Sequence, residues 1–138
     1  MVGTALVTSP ARPARAATTA ADEAGREREA SMAFDALEAA VSMVEALGPV
    51  EAKMRMRRKS LADEVGRAAE SVALNLSEGR MRAGLDRADL WRRAAGSAAE
   101  LTTALRIAKA RGYVAASDVA AVEPLLDRVW AMLWRLTH

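Results

Sequence analysis

Residues 86–112, DRADLWRRAAGSAAELTTALRIAKARG, set Trp91, Ala94, Ala98, Leu101, Leu105 and Ala108 three or four positions apart, with charged and small residues between them. This is the period of an amphipathic α-helix and not the alternation of a strand. The punctuation agrees: Asp86 is a capping side chain at the start, and Gly112 suits the closing turn.

The same period repeats on either side. Upstream, Leu61, Val65, Ala68, Val72 and Leu76 form a second stripe that stops near Gly79, and RMRAGL (80–85) reads as the connecting loop. Further upstream, Phe34, Leu37, Val41, Val44 and Leu47 predict a helix from Ser31, as its N-cap, to Leu47. Gly48-Pro49 is expected to end it, because proline cannot continue the hydrogen-bond ladder. Downstream, Ser117 or Asp118 opens a fourth helix with Val122, Leu126, Val129, Leu133 and Leu136 on one face. Leu125, Trp130, Met132 and Trp134 widen that face, and Pro124 is expected to kink its early turns. Four such segments with short connections predict an all-α fold, an antiparallel up-down-up-down four-helix bundle with crossings of about 20°.

Composition supports this class. Of the 138 residues 51% are hydrophobic but only 4% aromatic, and the apolar residues are mostly Ala, Leu, Val and Met, which favour helices. Residues 1–30 mix Pro, Ala, Thr and charge without sustained period and are read as a flexible segment, leaving 31–138 as the bundle domain. The apolar run Ala5-Leu6-Val7 is too short for a signal peptide, and no stretch approaches the roughly 18 apolar residues of a membrane span. A cytoplasmic protein is expected. There is no cysteine, and the single histidine, His138, is the last residue. Neither a metal site, a cofactor nor an enzyme active site is expected from this inventory.

Charge is placed unevenly. Residues 53–111 hold fourteen Lys or Arg against seven Asp or Glu, whereas the flanking segments are net acidic. Arg55, Arg57, Arg58 and Lys59 precede the second helix; Arg80, Arg82 and Arg87 surround the next loop; Arg92 and Arg93 follow. Clusters at both ends of one helix suit contact with RNA or DNA phosphates without base reading. A second group, Arg67, Ser71, Asn75 and Glu78, lies along one stripe of helix two, with Ser97 and Glu100 able to face it from helix three. An Arg67–Glu100 ion pair and Asn75–Glu78 capping are expected to fix helix register, a structural use of polar groups. Apolar surface on helix four, together with small residues on secondary faces of helices two and three (Ala69, Ala73, Ala95, Gly96 and Ala99), exceeds the need of one bundle, so a homo-oligomer is expected.

SVALNLSEG (71–79) and DLWRRAAGSAAELTTALRIAKARGYV (89–114) resemble the bacterial four-helix bundle proteins encoded in intervening sequences of 23S ribosomal RNA genes. Arg67, Ala68, Ala69, Ser71, Asn75, Glu78 and Gly79 match one family motif; Gly96, Ser97, Ala99, Glu100, Leu101, Gly112 and Tyr113 match another. The likeness runs from about Phe34 to the C-terminus. Gly66 stands where the family carries Arg, Ala73 where it carries Pro, and Ala39 or Ala40 where helix one carries Trp. The resemblance implies a ring-like homopentamer. It extends more distantly to the accessory variability determinants of diversity-generating retroelements, whose basic pentamer associates with a reverse transcriptase and nucleic acid. Two readings follow: a basic homo-oligomeric adaptor for RNA or DNA, with a reverse transcriptase as potential partner, or a protein-interaction module that docks a partner on helix four's apolar face.

Overall fold

The computed structural model describes Gly3 and residues 19–138, and the first of its helices is far longer than expected. Helix α1 is Ala20–Arg55, α2 is Lys59–Arg80, α3 is Gly84–Ala110 and α4 is Glu123–Thr137, with a short 3-10 turn at Ala116–Val119. Cross-contacts give their senses. Arg55 meets Asp63 and Arg80 stacks near Phe34, so α1 and α2 run in opposite directions. Arg67 meets Glu100 and Ser71 meets Ser97 between α2 and α3; Lys109 meets Glu123 and Trp130 meets Thr102 between α3 and α4. Each pairing joins a rising number to a falling one. The described chain is thus a four-helix all-α structure.

Three sequence expectations for α1 are corrected. Its N-cap is Thr19, not Ser31: the Asp22 N–H donates to Thr19 Oγ1 at 3.1 Å, and the Thr19 N–H donates to Asp22 Oδ2 at 3.3 Å. This reciprocal box satisfies donors that a helix start leaves open. Residues 20–30 are therefore helical, and the rest of the expected flexible segment, apart from Gly3 and Thr19, lies outside the described residues. Gly48-Pro49 does not end the helix. The buried seam is Ala33, Ala36, Ala40, Met43, Leu47, Val50 and Met54, an unbroken three-four repeat that runs through Pro49. An internal proline costs about 3 kcal/mol, but Val50 and Met54 are 2% and 0% exposed, and burying two such side chains contributes roughly 1.5–3 kcal/mol each. Burial wins, and Gly48 and Pro49 sit on the solvent side. Of the expected stripe, Leu47 is buried and Leu37 and Val44 are half-buried against the core, whereas Phe34 and Val41 are 46% and 51% exposed, because the centre of the seam lies one residue earlier at Ala33, Ala36, Ala40 and Met43. Alanines at the true seam let the neighbouring helices approach closely, so the larger residues are turned outward.

Helices α2 and α3 bury the stripes expected of them, with Leu61 half-buried. Helix α2 runs one residue past Gly79, and α3 begins at Gly84, two before Asp86, which becomes an acid in its first turn. Gly79 is required by packing. It is buried, and a Cβ there would collide with the Trp91 indole, 2.6 Å from Cδ1. At the other end of α3, Gly112 has φ 72°, the Tyr113 N–H donates to Ala108 O and the Gly112 N–H donates to Lys109 O. Those two bonds form a Schellman closure, which favours a residue without Cβ.

The fourth helix starts later than expected. Ala116–Val119 is a separate 3-10 turn in which Asp118 accepts from the Ala115 N–H at 2.7 Å and pairs with Lys53 at 2.6 Å. The Lys53 ammonium, with that N–H, holds the Asp118 carboxyl below the usual carboxylate range. Pro124 does not kink α4; it occupies the first turn, where a missing N–H costs nothing. Val122, Leu126, Val129, Met132 and Leu133 enter the core, whereas Leu125, Trp130 and Leu136 are half-buried and Trp134 is 61% exposed, stacked on His138. No described helix is long and apolar enough to cross a membrane.

Candidate nucleic-acid interface

The basic run KMRMRRK (53–59) folds into one of the tightest corners of the bundle. Helix α1 ends at Arg55, α2 begins at Lys59, and only Met56–Arg58 lie between. The Arg57 and Arg58 N–H groups both donate to Met54 O, at 2.9 and 2.7 Å, so the corner is a hydrogen-bonded turn. Its side chains face solvent. Arg55 pairs with Asp63 at 2.7 Å, and the Arg57 guanidinium lies 6.0 Å from the centre of the Tyr113 ring. Arg57, Arg58 and Lys59 take part in none of the ion pairs among the described residues. Residues 1–18 contain no Asp or Glu.

A fourth cation joins them from α3. Because α3 runs against α2, its last turn lies beside the start of α2, and Arg58 and Arg111 line the same surface pocket. Arg111 also lacks an ion-pair partner among the described residues. Sequence analysis missed it. The antiparallel bundle already required the residue before Gly112 to neighbour Arg58, so the signal was topological.

The opposite end of α2 has the same charge and spends it differently. Arg82 lies 3.6 Å from Glu78 and Arg93 lies 3.0 Å from Asp89. Arg80 lies 5.0 Å over Phe34. Arg87 is a clamp: Nε donates to Gly79 O at 3.1 Å, Nη2 donates to Arg80 O at 3.4 Å, Nη1 is 3.8 Å from Glu29, and the guanidinium covers the Trp91 ring. It caps carbonyls that the end of α2 leaves open. Of the expected cations at this end, Arg92 alone is in no described ion pair or aromatic contact. The two clusters do stand at opposite ends of α2, 22 residues long, and about 33 Å apart at 1.5 Å per residue.

The polar stripe is assembled largely as the sequence suggested. Arg67 Nη2 reaches Glu100 at 3.0 Å and Glu64 at 2.6 Å, and these two acids hold the guanidinium charged still more firmly than usual. Ser71 and Ser97 hydroxyls are 2.8 Å apart. The Asn75–Glu78 contact is corrected: Asn75 Nδ2 donates to Ser71 O and Oγ, at 2.9 and 3.0 Å, while Glu78 turns to Arg82. Asn75 thus stays within its own helix, one turn back, where its short side chain reaches a carbonyl. The Arg67–Glu100 pair and the Ser71–Ser97 bond tie α2 to α3; Arg67 and Glu100 are exposed, so solvent screens their ion pair and it adds little to stability. Among the described residues, no group of three His, Asp or Glu side chains is placed to hold a metal ion.

No curated protein matches the chain. The sequence model of the family described as 23S rRNA-intervening sequence protein matches residues 33–135, which spans all four helices. The chain therefore belongs to the 23S rRNA-intervening sequence protein family.

Proposed function

We propose that this bundle is a non-enzymatic scaffold that assembles with copies of itself and binds the phosphates of RNA or DNA through the α1–α2 corner. The observation that carries the reading is the group Arg57, Arg58, Lys59 and Arg111, four exposed cations with no carboxylate partner among the described residues. A cation already paired must give up its carboxylate to meet a phosphate. An unpaired one only releases counterions, and that release drives binding to polyanions. Three of the four are arginines, whose fork matches phosphate oxygens in pairs. Repetition around a ring would turn four cations into a belt. Exposed Phe34, Val41, Leu74 and Trp134 support self-assembly as the way their apolar surface is covered. The finer reading, service to a reverse-transcriptase ribonucleoprotein, is supported only by the likeness to the retroelement determinants.

The test is a salt titration of binding to a short duplex. Four phosphate contacts predict a slope of log K against log salt near −3.6, and a slope near zero would overturn the reading. The rival reading, a partner docked on the apolar face of α4, retains little surface. That face is mostly consumed by the core, and Trp134 is its one large side chain left exposed.

A further inference from the structure

Between the first turn of α2 and the last turns of α3 lies an open pocket that extends the basic corner inward. Its lining combines two chemistries: Arg58, Arg111 and Ser60 bring charge and a hydroxyl, and Leu61, Ile107 and Tyr113 bring apolar and aromatic surface. Ile107 is 43% exposed, and Leu61 is half-buried. The apolar floor continues along the α2–α3 groove through Ala104 and Ala99.

Charge in the pocket is decided by what is already engaged. Glu64 is the single acid on its lining, and Arg67 holds that carboxylate at 2.6 Å. Arg58 and Arg111 have no such partner among the described residues. Arg57, over Tyr113, adds a third positive charge beside the rim. The occupant must therefore carry concentrated negative charge joined to a flat or apolar body.

The volume narrows it further. About 390 Å³ is far more than inorganic phosphate needs and falls in the range of roughly 300–1,000 Å³ that holds small organic ligands. Two guanidinium forks match a phosphate monoester, which carries nearly two charges at neutral pH, better than a phosphodiester with one. We infer that this pocket binds the phosphate monoester of a nucleotide, the phosphate between Arg58 and Arg111 and the nucleoside over Leu61 and Ile107 beside Tyr113. On a nucleic acid, that ligand is a phosphorylated 5′ end. The source of the ligand rests on the nucleic-acid reading above; the pocket chemistry is shared with free nucleotides.

The experiment uses the full chain and two short single-stranded RNAs of one sequence, one with a 5′ phosphate and one with a 5′ hydroxyl, read by anisotropy of a 3′ label. AMP and adenosine are compared by calorimetry. The 5′-phosphorylated strand is expected to bind about tenfold tighter, and AMP to bind where adenosine does not. Arg111→Ala is expected to weaken both strands, because it removes one of the four backbone cations, and to bring the two within about twofold of each other. Ile107→Asp, at an exposed position, is expected to weaken AMP without changing helicity. Equal binding of both strands overturns the end pocket and leaves the backbone reading standing. Binding of AMP but of neither strand sustains the pocket and overturns the nucleic-acid reading. If neither strand nor AMP binds, both fall.

Discussion

The two ends of α2 carry similar numbers of arginines, yet at one end they hold the protein together and at the other they are left to the solvent. Around Gly79 and Arg80, acids from three helices and two aromatic rings receive the guanidiniums. Around Arg58, the acids within reach are already taken by Arg55, Lys53 and Arg67. The difference teaches that a basic cluster in sequence is not yet a basic surface. What decides is whether topology delivers carboxylates to it, and only the folded chain shows that.

Substitutions can separate the two ends cleanly. The largest effect is expected from Arg57→Glu with Arg58→Glu, which removes two contacts and sets two like charges against the phosphates. At about 50 mM salt it is expected to cost more than about 100-fold in nucleic-acid affinity, with unchanged helicity. Arg80→Glu with Arg82→Glu is expected to stay within about fivefold, and similar losses from both pairs would erase the distinction. Next is Gly79→Ala. The new methyl meets the Trp91 indole inside the core, and overpacking of this kind costs roughly 1–3 kcal/mol. Gly96→Ala, in open space within the same bundle, is expected to stabilise by about 0.5–1 kcal/mol. Thermal and urea unfolding of both variants would check this, and a neutral Gly79→Ala would show that α2 and α3 shift apart easily.

Arg87→Ala sharpens the contrast from the paired side. Losing its bonds to Gly79 O and Arg80 O is expected to cost about 1–2 kcal/mol of stability with little change in binding. Arg58→Ala is expected to do the reverse, altering stability by less than about 0.5 kcal/mol. Chemical denaturation alongside binding reads both. The smallest effect concerns Glu51, which packs against Gly66 and whose carboxyl is pushed up, first by burial and then by Glu70, against the pull of Arg55. A raised folded value means the proton is held more tightly in the native state, so ionisation lowers stability as pH rises through that value. Glu51→Gln is thus expected to raise the melting temperature slightly at pH 7 and to lose this advantage below about pH 4. An advantage that persists in acid would rule out ionisation as the cause.

Much of the bundle was legible because its middle helices obey one rule. Leu61 to Leu76 and Trp91 to Ala108 each present a single apolar stripe with no competitor, and the fold buried both. In α1, two stripes one residue apart were on offer, and the larger side chains of Phe34 and Val41 favoured the wrong one. Alanine at 33, 36 and 40 wins in three dimensions because it permits contact between backbones, a gain that hydrophobicity per residue does not register. The seam's continuation to Val50 and Met54 was the available signal that Pro49 lies inside a helix. Thr19 and Asp22 were legible as a capping box but lay in a segment without apolar period. The cations were found as residues but not as a surface, since Arg87 and Arg58 look alike until their neighbours are known. Arg111 and Tyr113 entered the site only through the pairing of helix ends.

Pro49 gives the basic corner a mechanical character of its own. The Glu45 carbonyl has no amide hydrogen at Pro49 to receive, so the ladder of α1 is interrupted about two turns before the corner. Val50–Arg55 can therefore fray as a unit without unzipping the long helix behind it. What resists is Val50 and Met54 in the core, with Lys53 and Arg55 tethered to Asp118 and Asp63. The amides of this last stretch should exchange with solvent by a local opening of lower energy than the rest of α1. Anything bound to the corner would slow that exchange first, which makes these few amides a built-in reporter of occupancy.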